Sequence, residues 1–147
     1  MGFTKQMHEQ VGTEGLAGLL SQAAPYFSTI PVQFTEVRHA FATAVLKNVP
    51  EVRNHIQTVH AIAMCNLAEM VGGLVTDYAL PEGRIWIPKG MTVRYVAKAK
   101  TDLIGTCDAT AIDWANVLGD VTVPVRVRDT SGKMVFEADI TMNVKSL

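Results

Sequence analysis

Two cysteines, Cys65 and Cys107, are all that the 147-residue chain contains. That is too few for a disulfide framework, and neither stands in a metal-ligand spacing, so they read as two reduced thiols of a cytoplasmic protein. Charge of one sign is lacking as well. Thirteen basic residues face fourteen acidic ones, for a formal net charge of −1, which leaves no global field to attract nucleic acid or anionic lipid. The basic residues are neither clustered nor interleaved with aromatics, which argues against a single-stranded nucleic-acid surface. A Gly-rich phosphate loop is absent, so nucleotide binding of the dinucleotide-fold or P-loop kind is unsupported. No apolar run reaches the length of a membrane span. The run from Gly15 to Ala24 follows Glu9 and Glu14, with Lys5 the one Lys or Arg upstream, so it reads as a short amphipathic helix and not as a signal sequence. Without repeats, heptads, low-complexity tracts or a visible boundary, residues 1–147 read as one domain.

What is present suits a globular core: 48% of residues are hydrophobic and 18% charged, a balance that excludes disorder. Residues 1–12 show no pattern and read as a loose end. From Thr13, a candidate N-cap, Leu16, Leu19, Leu20 and Ala23 recur at helical spacing until Pro25 stops them, so that 1–31 form an extension with a short helix. Gln33 to Leu46 reads as a first strand, and Asn48, Pro50 and Asn54 mark a loop. Thr58 offers a second N-cap before a long apolar helix that Gly72 and Gly73 are expected to terminate. The second half alternates with a period of two: Met91 to Ala99, Val121 to Val127 and Met134 to Val144. Leu103 to Ile112 is a fourth candidate, with Gly105 read as a bend or bulge. The turn Asp129-Thr130-Ser131-Gly132 predicts a hairpin between the last two strands.

The long helix holds the informative residue. Between Ala61 and Val71 only Asn66 and Glu69 are polar, too few for a helix with a wet face, so the helix is expected to be buried on nearly all sides. The positions three and four residues from Glu69 are Cys65, Asn66, Gly72 and Gly73, and none is cationic. Ile62, Asn66, Glu69 and Gly73 share one face. Either Glu69 is a lone buried carboxylate with the raised pKa that suits a general base or nucleophile, or it reaches water or an Arg from elsewhere in the fold.

Helix, strand, apolar helix and then several antiparallel strands, together with Asn54, Val59-His60-Ala61-Ile62 and Leu67-Ala68-Glu69, resemble the hotdog fold and, more narrowly, the PaaI-like acyl-CoA thioesterases. That α+β fold wraps an antiparallel sheet around a long central helix. The likeness in element order runs from Gln33 to Lys145, about three quarters of the chain, and the sharp motif from Asn54 to Gly73. The resemblance implies a homodimer or dimer of dimers that hydrolyses acyl-CoA, with coenzyme A entering only as part of the substrate and no other cofactor or metal. It implies Glu69 as general base or nucleophile, the Ala61 backbone N–H as oxyanion donor, Asn54 as an orienting residue and His60 as a structural brace. A helix N-terminus suits an oxyanion, because its free N–H groups and dipole favour developing negative charge.

Two departures stand out. The family's Gly-Gly after the histidine is Ala61-Ile62 here, which narrows the groove the pantetheine arm must use and raises a second reading, a module that binds acyl-CoA without hydrolysing it. The family position where a Ser or Thr often assists falls near Trp86 to Lys89, where no hydroxyl stands. Other constellations are weaker. His55 and Glu69 are spaced as in hotdog dehydratases of hydroxyacyl carriers, but His55 is followed by Ile-Gln-Thr. Cys65 and His60, five residues apart on a helix, point to different sides, so Cys65 reads as a packing thiol; His8 and His39 have no evident partner. Lys98 and Lys100, with Arg94, are candidates for the phosphates of CoA at the end of a strand; for each, a solvated sheet face is the plainer reading.

Overall fold

The computed structural model describes residues 2–147. Helix α1 spans Phe3–Ala23 and is followed by the hairpin strands β1 (Val32–Arg38) and β2 (Phe41–Leu46). Helix α2 spans Ala61–Ala79, and then come β3 (Arg84–Tyr95), β4 (Leu103–Asp108), β5 (Gly119–Asp129) and β6 (Met134–Ser146). All six strands form one antiparallel sheet in the order β1-β2-β4-β5-β6-β3. The alternation seen in the sequence sets its two faces. Val123, Val125 and Val127 of β5 and Ala138, Ile140 and Met142 of β6 are buried, and they meet Leu67, Met70, Val71 and Leu74 of α2, which are buried from the other side. Each of the Val, Leu, Ile and Met side chains among them contributes roughly 1.5–3 kcal/mol relative to exposure. A curved sheet around one apolar helix is the hotdog arrangement.

Several boundaries depart from expectation for identifiable reasons. Gln33 to Leu46 is not one strand. It folds back at His39–Ala40, with Ala40 in the left-handed region at φ 59°; Ala40 is buried and its carbonyl accepts the Ala109 N–H at 2.9 Å. The loose end expected at 1–12 is the first part of α1. That helix has a break at Gly12 (φ 70°, ψ −178°), so its second segment does start at Thr13. The first segment is fixed by tertiary bonds: the Thr4 N–H and Oγ1 both donate to Asp77 Oδ2 at 2.8 Å, and His8 Nδ1 lies 3.1 Å from the Tyr78 hydroxyl.

Gly72 and Gly73 do not terminate α2, which continues to Ala79. They are contact points with the sheet: a Cβ at Gly72 would meet Ile140 Cδ1 at 2.8 Å, and one at Gly73 would meet the Trp86 ring at 3.0 Å. Gly105 is likewise no bulge. Its pairings to Ala44 and Val127 are continuous, and a Cβ there would press on Leu67 at 3.1 Å. Strand β3 ends at Tyr95, so Lys98 and Lys100 stand beyond it and not on a strand. No helix among the described residues is long and apolar enough to cross a membrane.

Candidate active site

The approach to α2 is built by Asn54. Its Oδ1 accepts the N–H groups of Ile56 and Thr58, both at 3.1 Å, and its Nδ2 lies 2.9 Å from Thr58 Oγ1. Thr58, expected as the N-cap, is therefore consumed by the loop. The chain stays extended for two more residues, because the Val59 N–H donates to the Ala99 carbonyl at 2.8 Å and the His60 N–H to the Val52 carbonyl at 2.7 Å. The helix then starts at Ala61 with His60 as its cap: His60 Nδ1 accepts the Ile62 N–H at 3.0 Å. The Met64 N–H is taken by the His60 carbonyl at 3.2 Å, while the Ala61 N–H has no acceptor among the described residues. This leaves a free donor at the positive end of a 19-residue helix, the setting in which developing negative charge is stabilised.

Glu69 is exposed, which removes the buried one of the two alternatives. Among the described residues it makes no hydrogen bond or ion pair, so of the two alternatives it reaches water. The apolar character of its surroundings is nevertheless real. Glu69 lines a cavity of about 350 Å³ between α1, the turn Pro25–Thr29, α2 and β3, whose other walls include Leu20, Phe27, Met70 and Trp86. A second pocket of about 370 Å³ lies at the start of α2, lined by His60, Ile62, Asn66 and Arg53 among others. Asn66 Nδ2 donates to Thr29 Oγ1 at 3.1 Å, which lays the Pro25–Thr29 turn across the helix face between the two pockets. Ile62, 53% exposed, borders the second pocket and leaves the Glu69 cavity open.

Asp77 and Trp86 carry roles that the sequence reading missed. Trp86 Nε1 donates to Asp77 Oδ1 at 3.1 Å, and with the two bonds from Thr4 this ties α1, α2 and β3 together. The signal was available: Asp77 follows Glu69 by eight residues and falls on the same helical stripe. Among the basic candidates, Arg94 is already paired with Glu137 at 2.6 Å. Lys98 and Lys100 are exposed and flank Ala99, whose carbonyl holds Val59, so they sit beside the start of α2 with no ion pair among the described residues. His55 is an exposed turn residue apart from the Glu69 cavity. Cys65 is half-buried, and burial outweighs a hydrogen bond with Tyr95 in raising its pKa, which keeps it a thiol and a poor nucleophile. Burial pushes the Cys107 thiol up to about 12.

A six-stranded antiparallel sheet around one apolar helix is the hotdog arrangement, which the chain shares with solved structures described as thioesterases. The chain belongs to the family described as a domain of unknown function, DUF4442, whose model matches residues 12–144. A crystal structure solved as a genomics target is 44% identical and covers 98% of this chain and 97% of its own, with a TM-score of 0.88. A Pseudomonas aeruginosa protein described as a probable thioesterase is 18% identical over 92% of this chain and 94% of its own, with a TM-score of 0.78. A Haemophilus influenzae thioesterase is 14% identical over 92% of both chains, with a TM-score of 0.72; at such identity these two share the fold. No curated protein matches the sequence.

Proposed function

We propose that the chain hydrolyses acyl-CoA thioesters to the free carboxylic acid and CoA. The observation that carries this reading is Glu69, a carboxylate without a charge partner at the rim of an apolar cavity on the central helix. As general base, Glu69 takes a proton from water, whose oxygen attacks the thioester carbon; as nucleophile, its own oxygen attacks and water later releases the acyl group. In either route the carbonyl oxygen becomes an oxyanion that the Ala61 N–H stabilises, the C–S bond breaks, and CoA leaves as a thiolate that is reprotonated. His60 braces the helix start and Asn54 orients the loop before it. Lys98 and Lys100 supply positive charge for the CoA phosphates, a role for which Arg94 is less suited because Glu137 already pairs with it.

Within one chain Ala61 and Glu69 are eight residues apart on a helix, about 12 Å at 1.5 Å per residue, too far to serve one carbonyl. The site is therefore completed by a second copy. The surface for that copy is β3, an edge strand with exposed Ile85, Ile87, Met91 and Tyr95; a long apolar edge is a template for strand pairing. A cytoplasmic homodimer, or a dimer of dimers, is the assembly this implies.

The second reading, binding without hydrolysis, has one specific support in Ile62, which stands at the helix start where the resembling family carries glycine. The experiment is thiol release from short, medium, long and aromatic acyl-CoAs by the wild type and Glu69→Gln. Turnover lost in Glu69→Gln supports the proposal. Wild-type turnover in the variant removes Glu69 from the mechanism, and no turnover by folded wild type on any substrate supports the binding module.

A further inference from the structure

We propose that the cavity between α1, α2 and β3 is the pocket for the acyl group, and that it takes an unbranched alkyl chain of roughly eight to ten carbons whose fit is limited by the C-terminal end of α1. This rests on the acyl-CoA reading above and adds to it the class of acyl group and the element that selects it.

Four observations carry the inference. The first is placement, because Glu69 is itself a wall of the cavity, so a thioester carbon held near its carboxylate has its acyl substituent directed into the space alongside. Direction follows from the helix. From Glu69 the stripe continues through Gly73, where the Trp86 ring packs against the helix too closely for a Cβ, to Asp77, and all four residues line the cavity. The far end is tied together by Asp77, whose carboxylate holds Thr4 of α1 and Trp86 of β3. The third observation is size. Glu69 to Asp77 is about 12 Å, and an extended chain with C–C bonds of about 1.5 Å advances about 1.3 Å per carbon, which gives about nine carbons. The volume agrees: an apolar cavity of about 150 Å³ holds a benzene, so about 350 Å³ holds a group near twice that size. The last is the nature of the wall. Leu20, Ala23 and Phe27 come from α1 and the turn after it, outside the residues of the sheet and central helix, so α1 sets the cavity's width independently of the catalytic framework. Ala23 lines the cavity and is exposed, which allows a large side chain there to fill the space without displacing the core.

The test uses S-alkyl-CoA thioethers, which cannot be hydrolysed, so it reads the pocket separately from catalysis. Wild-type protein is titrated calorimetrically with the S-butyl, S-octyl, S-decyl and S-hexadecyl compounds. Affinity is expected to rise up to about fourfold per added methylene as far as eight to ten carbons and then to level off. In Ala23→Trp the plateau is expected at a shorter chain, with the decyl-to-butyl affinity ratio reduced at least tenfold. Should Ala23→Trp fail to fold by circular dichroism, Leu20→Ala carries the test in the opposite sense, because it enlarges the cavity and moves the plateau to longer chains. Affinity independent of chain length, or a plateau that neither variant moves, overturns the pocket assignment even if hydrolysis is observed. A plateau that moves as expected in a protein that turns over no thioester supports the pocket and refutes the hydrolase reading alone.

Discussion

Ala61→Pro separates the oxyanion role of the helix start from its structural role. Proline is favoured at the first position of a helix, where its missing N–H would have no intrahelical acceptor and its fixed φ matches the helix. Ala61 is that residue, and its N–H has no acceptor among the described residues. The residue before a proline must be extended, and His60 already is, at φ −62° and ψ 138°. Folding stability is therefore expected to change by less than about 0.5 kcal/mol, the usual range for a substitution that breaks no contact. For a chain of this length that is a shift of no more than about 2 °C in Tm. Hydrolysis should behave differently. Removal of one oxyanion donor costs on the order of 100- to 1,000-fold in kcat, about 3–4 kcal/mol of transition-state stabilisation, with little effect on ground-state binding. Differential scanning calorimetry and thiol-release kinetics on the same preparation check both halves. A folded Ala61→Pro protein with wild-type kcat refutes the assignment of the Ala61 N–H.

His60→Ala removes the side-chain cap on Ile62 and is expected to lower stability by about 0.5–2 kcal/mol, with His60→Asn restoring most of it and also restoring turnover; turnover lost in a stable His60→Asn protein would make His60 a participant in the chemistry. Ile87→Lys on the exposed edge of β3 is expected to yield a folded monomer in light scattering and to abolish turnover, since the site needs two copies; an active monomer would refute the shared site. Asp77→Ala removes the acceptor of three hydrogen bonds, and amide hydrogen exchange is expected to accelerate in residues 3–11, with a loss of about 2–4 kcal/mol. Cys107 links stability to alkaline pH. Burial holds its folded pKa at about 12, above the 9.0 of a free thiol, so the unfolded chain loses the proton first. Its contribution is intact below pH 9 and declines between pH 9 and 12 by up to about 1.4 kcal/mol per pH unit. Urea titrations across that range should show this slope reduced in Cys107→Ala.

By itself the sequence determined the elements whose side chains repeat with a strong period. Strands β5 and β6 and their hairpin were legible because Val121 to Val127, and Met134 to Val144 apart from Val135, alternate around an Asp-Thr-Ser-Gly turn. Helix α2 was legible because an apolar run with two polar residues has few other ways to be satisfied, and the residue singled out in it, Glu69, does line a cavity. What only the tertiary structure decided were features whose partners lie far away in sequence. The first segment of α1 has no period of its own and exists through Asp77, more than seventy residues on. The turn at His39–Ala40 lacks glycine, asparagine and aspartate, and Ala40 is held at positive φ by burial and by the bond from Ala109. Glycine was misread in both directions: Gly72, Gly73 and Gly105 looked like stops or bulges because their local preference is for turns, yet each marks a place where helix and sheet come too close for a Cβ. The exposure of Glu69 belongs to the same class. Periodicity reports how apolar a helix is, but which stripe stays open depends on where α1 and β3 end, and no local pattern encodes that.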